Sequence, residues 1–157
     1  MVSHLYEAGA KGIVLFNRFY RPDIDIDKIE LTTPNVFSAS EESAITLRWI
    51  GLLTEKFASD IVASTGIYRY DHAVKQILAG AKAIQICSVL YKYGSKAISQ
   101  ITDGIEIWMK DKGFKSIEDF RGLVNRKNVN SLQWERIHFM MRSNEQMVKP
   151  VQWNPGE

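Results

Sequence analysis

Two copies of one pattern decide the fold. The first is Ala8-Gly9-Ala10-Lys11-Gly12-Ile13-Val14-Leu15-Phe16-Asn17 and the second is Ala79-Gly80-Ala81-Lys82-Ala83-Ile84-Gln85-Ile86-Cys87-Ser88. In both copies a helical pattern leads to a glycine, which easily takes the left-handed conformation that ends a helix. A short apolar run follows and ends in a small polar residue. Each copy therefore predicts a helix end, a tight turn and a buried strand.

A third apolar run, Asp60-Ile61-Val62-Ala63-Ser64, lies between the two copies and is followed by Thr65-Gly66. Helical patterns separate the three runs. Strands that alternate with helices are typical of a parallel sheet whose faces are covered by those helices. The sequence therefore predicts a three-stranded parallel α/β sheet.

The helices have readable ends. We expect starts at Ser38 or Ser40, at an Asp71 cap, at Ser95 and at a Ser116–Asp119 capping box, with Gly80 and Gly113 as stops, and a last helix from Ser131. The buried faces are predicted to be Ile45, Trp49, Leu52 and Leu53 in the first helix, Val74, Ile77 and Leu78 in the second, and Ile98, Ile101, Ile105 and Trp108 in the third.

The number of strands sets the fold class. A closed barrel of eight β/α units needs roughly 200 residues or more, and this chain has 157. We therefore expect an α/β fold that is the C-terminal portion of a (β/α)8 TIM barrel: about three parallel strands, flanking helices and extra C-terminal helices. Residues 1–143 would form this partial domain, residues 144–157 an irregular tail, and Asp23, Asp25 and Asp27 a loop or edge hairpin.

Composition excludes several classes of protein. The chain is 45% hydrophobic and 24% charged, which is typical of a folded globular protein. No apolar run is long enough to cross a bilayer, and a net charge of +2 does not predict nucleic-acid binding. One cysteine and no visible secretory signal favour a cytoplasmic location.

Small polar residues at the strand ends suggest an anion site. In β/α barrels the loops after the last two strands often bind phosphate. Here Ser64-Thr65-Gly66-Ile67 and Cys87-Ser88 occupy those positions, with a helical turn expected at 89–91. Taken alone, the pattern also fits ordinary turns. Cys87 is more simply read as a small buried strand residue, and His72 as a solvent-facing helix residue.

The chain resembles the dihydroorotate dehydrogenases and the related dihydropyrimidine dehydrogenases from about residue 5 to residue 143. Ala63-Ser64-Thr65-Gly66-Ile67, Asp71-His72-Ala73 and 78–88 are similar to the family's flavin-phosphate segment, and Gly12 to Asp25 is similar to its strand 6. The resemblance implies an FMN-dependent oxidation of dihydroorotate to orotate in pyrimidine biosynthesis.

Carried over to this chain, the resemblance implies a cofactor site and a substrate contact. FMN would be bound by Phe16, Ser38, Thr65, Gly66, Cys87 and Ser88, and the pyrimidine substrate by Asn17. Two departures stand out. Thr65 replaces the first glycine of the family's phosphate turn, and Arg18-Phe19-Tyr20 after Asn17 is bulkier than in orotate-binding members.

The family's catalytic base, a Ser or Cys, and its flavin lysine belong to earlier barrel strands. No residue here can be assigned either role, and the three histidines are too scattered to predict a metal site. Three hypotheses follow: a truncated FMN oxidoreductase, an inactive partial barrel that self-associates or pairs with the missing barrel half, and a non-redox α/β domain that binds a phosphorylated ligand.

Overall fold

The computed structural model describes residues 1–18, 22–32, 36–54, 56–57 and 59–125. The elements, in chain order, are α1 (Val2–Glu7), β1 (Gly12–Leu15), β2 (Asp23–Asp25), β3 (Glu30–Thr32), a 3-10 turn (Ser40–Glu42), α2 (Ser43–Leu53), β4 (Asp60–Ala63), α3 (Tyr70–Leu78), β5 (Ala83–Ile84), α4 (Ser88–Tyr93), α5 (Lys96–Lys112) and a second 3-10 turn (Ile117–Asp119). The boundary at 143, the helix expected from Ser131 and the tail 144–157 lie outside the described residues.

The main sheet has three parallel strands in the order β1-β4-β5, as predicted. Leu15 pairs with Ala63, and Ala63 in turn pairs with Ile84, so the three strands end side by side. The third strand is shorter than its sequence pattern suggests, because ladder pairing covers only two residues. The Gln85 N–H nevertheless donates to the Ala63 carbonyl over 2.8 Å and keeps the chain beside β4.

The repeated glycines act as predicted. Gly9 and Gly80 have φ of +92° and +115°, values that residues other than glycine rarely adopt. Gly80 is also a close packing point, because an added Cβ would lie 2.5 Å from the Thr54 methyl carbon. Both copies of the pattern therefore turn from a helix into a strand through a left-handed glycine.

The core lies between the sheet and the helices that follow its strands. Its buried members are Leu15, Ile50, Leu53, Ile61, Ala63, Ile67, Ala73, Ala79, Ala81 and Ile101. Val74 and Ile77 of α3 are buried as predicted, and Leu78 is partly buried. The sheet is therefore covered mainly by α2 and α3, and α5 packs against α3.

The predicted face of α2 is partly wrong. Leu53 is buried, but Ile45 and Trp49 are 51% and 44% exposed, and the sheet is instead covered by Thr46, Ile50 and Leu53. Each of the two exposed residues precedes a buried one, which places it about 100° around the helix from the buried face. Two adjacent apolar stripes run along this helix, and the sequence pattern alone predicted the wrong one to be buried.

On α5 the predicted stripe is correct except at its start. Ile101 is buried and Ile105 is partly buried, whereas Ile98 is 48% exposed and Ala97 takes the inward position. Trp108 is partly buried and stacks edge-on against Phe120, with ring centroids 5.0 Å apart. Phe120 is fully buried and thereby attaches the second 3-10 turn to α5.

The acidic segment forms the expected hairpin. Strands β2 and β3 are antiparallel, with Ile24 opposite Leu31, and the Asp25 carboxylate accepts the turn N–H groups of Asp27 and Lys28 over 3.1 Å each. These two hydrogen bonds explain the aspartate at position 25, because its carboxylate stabilises the turn of the hairpin. The described part of the chain contains no group of three or more His, Cys, Asp or Glu side chains arranged to hold a metal ion.

Arg121 is largely buried. Its side chain is 17% exposed and donates to the Ala81 carbonyl. It also pairs with Glu118 over 2.9 Å. The predicted capping box just before it is present, with the Asp119 carboxylate accepting the Ser116 N–H over 2.8 Å. This segment therefore closes over the turn that enters β5.

Helix α3 begins two residues earlier than expected. Its cap is Arg69, and Asp71 lies in the first turn, where its carboxylate accepts a 2.9 Å hydrogen bond from the Arg69 Nε. This bond is the main reason that the pKa of Asp71 falls to about 2.

Within the described ranges, no helix combines the length and the apolar character that crossing a membrane requires.

We expect Gly80→Ala to lower the free energy of unfolding by about 2–4 kcal/mol, because it adds a steric clash with Thr54 to the strain of a positive φ. Gly9→Ala is the matched control. It carries a similar φ but has open space around it, so the loss should be only about 1 kcal/mol. Urea unfolding of the full chain measures both, and equal losses would contradict the packing role of Gly80.

We expect Asp71→Asn to destabilise the protein at neutral pH by about 1 kcal/mol or less, since Arg69 is largely exposed and solvent weakens the pair. The pKa of Asp71 is lowered on folding, so its contribution is complete above the unfolded pKa, near 3.8, and is lost as the pH falls toward about 2. Urea unfolding at several pH values tests this. A difference in unfolding free energy between the wild type and Asp71→Asn that persists at the lowest pH would contradict this prediction.

Candidate functional site

The predicted site residues meet in one cleft at the carboxyl ends of the three parallel strands. The cleft has a volume of about 260 Å³. Six of the seven candidates line it: Asn17, Ser38, Thr65, Gly66, Cys87 and Ser88. The seventh, Phe16, lines an adjoining pocket of about 100 Å³ that shares Asn17 and Thr65 with the cleft. The structure therefore brings these residues together at one edge of the sheet, and their role in binding FMN and substrate stays a prediction.

Ser38 joins the loops around the cleft. It is 5% exposed, and both its N–H and its hydroxyl donate to the Ser88 Oγ, over 3.1 and 3.0 Å. The Gly66 N–H lies 3.4 Å from the Ser38 hydroxyl oxygen, and the Tyr68 hydroxyl donates to the Ser38 carbonyl over 2.5 Å. Ser38 thus holds the loops after β4 and β5 at a fixed separation.

The same network orients Ser88. Its oxygen accepts two hydrogen bonds from Ser38, and a hydroxyl carries one hydrogen of its own to donate. That hydrogen can therefore be given to a ligand in the cleft. Ser88 is also the first residue of α4, which extends to Tyr93 and is longer than the single turn expected from the sequence.

Gly66 is a glycine because its backbone packs closely against the start of α2. In the structure φ is +75°, and an added Cβ would lie 2.4 Å from the Ser43 backbone nitrogen and 2.9 Å from the Ala39 carbonyl oxygen. The close neighbour is therefore the start of α2, so packing of the chain against itself already excludes a side chain.

Cys87 and His72 both differ from the simpler readings of the sequence. Cys87 is exposed at the cleft and is not a buried strand residue, because pairing of β5 ends at Ile84. The His72 side chain is only 15% exposed, and its Nδ1 accepts the Tyr68 N–H over 3.3 Å. His72 thus supports the loop after β4 and does not face solvent.

Sequence reasoning missed a partly buried ion pair beside the cleft. The Arg18 Nε lies 3.3 Å from a Glu42 carboxylate oxygen, with side chains 17% and 13% exposed. The other Glu42 oxygen accepts the Ala39 N–H over 2.8 Å. No local signal could have found this pair, because its members are separated by β2 and β3 in the sequence. It ties the end of β1 to the start of α2.

A second, wider groove of about 640 Å³ lies on the far side of Ser38. It is lined by Tyr68, His72, Lys92 and neighbouring residues of α4 and α5. The Lys92 ammonium lies 5.1 Å from the centroid of the Tyr68 ring and 5.6 Å from that of Phe37. Ser38 lines both recesses, whereas the other five candidates of the cleft do not line the wider groove.

Comparisons with known proteins agree with this geometry. The chain is 34% identical over 122 residues to the catalytic subunit of the NAD+-dependent dihydroorotate dehydrogenase B of Caldicellulosiruptor bescii, covering 75% of this chain and 40% of the relative. It is 28% identical over 127 residues to the putative dihydroorotate dehydrogenase A (fumarate) of Aeropyrum pernix, covering 79% and 42%. No family model matches the chain.

The fold comparison points the same way. A crystal structure of dihydroorotate dehydrogenase from Eimeria tenella in complex with ferulenol superposes with a TM-score of 0.62 at 21% identity, over 77% of this chain and 33% of that one. The three parallel strands and their helices thus form part of a β/α barrel whose strand ends carry the candidate site. In sequence and fold the chain is dihydroorotate dehydrogenase-like, and it spans about 40% of the length of the relatives it matches.

We expect Ser38→Ala to lower the free energy of unfolding by about 1–3 kcal/mol, because the change removes a donor and an acceptor from a buried network. Ser40→Ala is the matched control. Its hydroxyl bonds only to the Glu41 carboxylate in an exposed position, so the change should cost less than about 0.5 kcal/mol. Denaturant titration measures the unfolding free energy of both variants. Equal losses in the two would contradict the role of Ser38 in the buried network.

Proposed function

We propose that this chain supplies the FMN-phosphate site and a pyrimidine contact of a dihydroorotate dehydrogenase-type oxidoreductase. The observation that supports the proposal most directly is the meeting of six candidate residues in one cleft at the ends of neighbouring parallel strands. The relatives named above are dihydroorotate dehydrogenases, which makes oxidation of dihydroorotate to orotate the activity to test first.

The residues present fit a phosphate group. Ser88 has a hydroxyl hydrogen to donate, and the loops after β4 and β5 both line the cleft, where their backbone N–H groups would be the further donors. Barrel proteins bind phosphate in the same way, with donors from the loops after consecutive strands. Cys87 would contribute its backbone beside Ser88. When bound, the flavin of FMN supplies a hydride acceptor.

Asn17 would orient the substrate. It lies exposed at the cleft just beyond the end of β1, and its side-chain oxygen accepts the Arg18 N–H over 2.9 Å. That bond fixes the orientation of the amide group, so the two N–H donors are the part presented to a ligand. Two such donors suit the carbonyl oxygens of a pyrimidine ring. Phe16, directly before Asn17, would stand beside the flavin ring.

Completion of the active site would require the remainder of a barrel. Among the described residues, the sheet has open edges at β1 and β5, and Val14 of β1 is 50% exposed. Unpaired parallel edges favour association with further strands. We therefore propose that the chain works together with the five preceding β/α units of a barrel, which would also supply the catalytic base and the flavin lysine.

A second candidate is an inactive partial barrel that acts only by association. The observation that favours it is the pair of open sheet edges, at β1 and β5 among the described residues. Orotate formation by the chain together with the five missing units would exclude this candidate. Association of the two parts without flavin binding would support it.

The test is a titration of the full chain, alone and mixed with those five units, with FMN and with riboflavin, which lacks the phosphate. We expect FMN to bind at least about tenfold more tightly, and Ser88→Ala to remove most of that preference. Ser88→Thr is the matched control, since it keeps the hydroxyl and should keep the preference. Flavin fluorescence gives both affinities, and equal affinities for the two flavins in every mixture would contradict the proposal.

A further inference from the structure

Thr65 has an unfavourable backbone conformation at the cleft. Its φ is +76°, in the left-handed region, where a β-branched residue is rare because its Cβ crowds the backbone. A glycine would adopt the same φ without strain. The side chain of Thr65 must therefore supply a contact that glycine could not.

That contact is a hydrogen bond to the neighbouring strand end. The Thr65 hydroxyl donates to the Phe16 carbonyl oxygen over 2.8 Å. It continues the ladder between the two strands, in which the Ser64 N–H already donates to the Leu15 carbonyl over 2.6 Å. The far side of the same turn is held as well, because the buried Thr46 hydroxyl donates to the Ser64 carbonyl over 2.9 Å.

The hydrogen bond falls at the peptide group that leads into Asn17. Holding the Phe16 carbonyl fixes the plane of the peptide that joins Phe16 to Asn17, and hence the direction in which Asn17 leaves the strand. Thr65, like Asn17 and Arg18, lines both the 260 Å³ cleft and the 100 Å³ pocket, so it lies at their boundary.

We propose that Thr65 is a positioning residue for the pyrimidine side of the site and not a phosphate ligand. Its hydroxyl fixes the Phe16–Asn17 peptide so that the Asn17 amide faces the cleft. This inference rests on the proposed function for the identity of the ligand. The hydrogen bond that carries it belongs to the protein alone, so it can be tested without flavin.

The test compares Thr65→Ser, Thr65→Val and Thr65→Gly in the full chain. Serine keeps the hydroxyl, valine keeps the shape without the donor, and glycine removes both the donor and the strain. The first readout is the Asn17 backbone amide signal in the NMR spectrum of the flavin-free protein. We expect it to shift in the valine and glycine variants and to stay near the wild-type position in the serine variant.

Thr65→Gly also separates positioning from stability. Relief of strain offsets the lost hydrogen bond, so its thermal unfolding should remain close to that of the wild type while the Asn17 signal moves. If Thr65→Val does not fold, the comparison of Thr65→Gly with Thr65→Ser still tests the positioning role of the hydroxyl. An Asn17 signal unchanged in Thr65→Gly, or one that serine does not restore, would overturn the inference.

The second readout is ligand affinity, measured with the five missing β/α units present. At saturating FMN, we expect the glycine and valine variants to bind orotate about five- to tenfold more weakly, and the serine variant to remain within about twofold of the wild type. FMN affinity should change less than about twofold in all three. A parallel loss of FMN affinity would make Thr65 a cofactor ligand and contradict the inference. Failure of the wild type to bind FMN would contradict the proposed function, and the flavin-free Asn17 signal would still test Thr65.

Discussion

The central position of β4 is the constraint on which the rest of the structure depends. Its backbone pairs with β1 on one side and β5 on the other, and the three strands run in the same direction. Parallel pairing brings their carboxyl ends to one edge, where the next loops must turn within a few ångströms of one another. The cleft, the Ser38 network and the Thr65 hydrogen bond all lie at that edge.

Hydrogen bonds among the loops then give the edge its shape. Ser38 comes from the chain before α2, yet its contacts reach Gly66, Tyr68 and Ser88, which follow two different strands. Buried hydroxyl groups with satisfied partners hold such loops more firmly than apolar contacts alone, because each bond has a preferred direction. The cleft is therefore set by polar geometry, while the apolar core beneath it fixes the strands.

The sequence predicted the parts of this arrangement that depend on local pattern. The repeated segments predicted two helix-to-strand turns, and the residues quoted after the strands lie together at the cleft. What could not be predicted depends on contacts between distant residues. Examples are the Arg18–Glu42 pair, the position of Gly66 against the start of α2, and the choice between the two apolar stripes of α2. Cys87 was misjudged because β5 pairs for only two residues, and strand length is set by the neighbouring strand.

We propose that the 260 Å³ cleft at the strand ends, and not the 640 Å³ groove beyond Ser38, receives the phosphate of FMN. The decisive measurement is an NMR titration that follows assigned backbone amides while FMN is added to the full chain, alone and together with the five β/α units proposed to complete the barrel. We expect the largest shifts at Gly66, Ile67 and Ser88. Shifts confined to Arg69, His72 and Lys92 in the wider groove would contradict it.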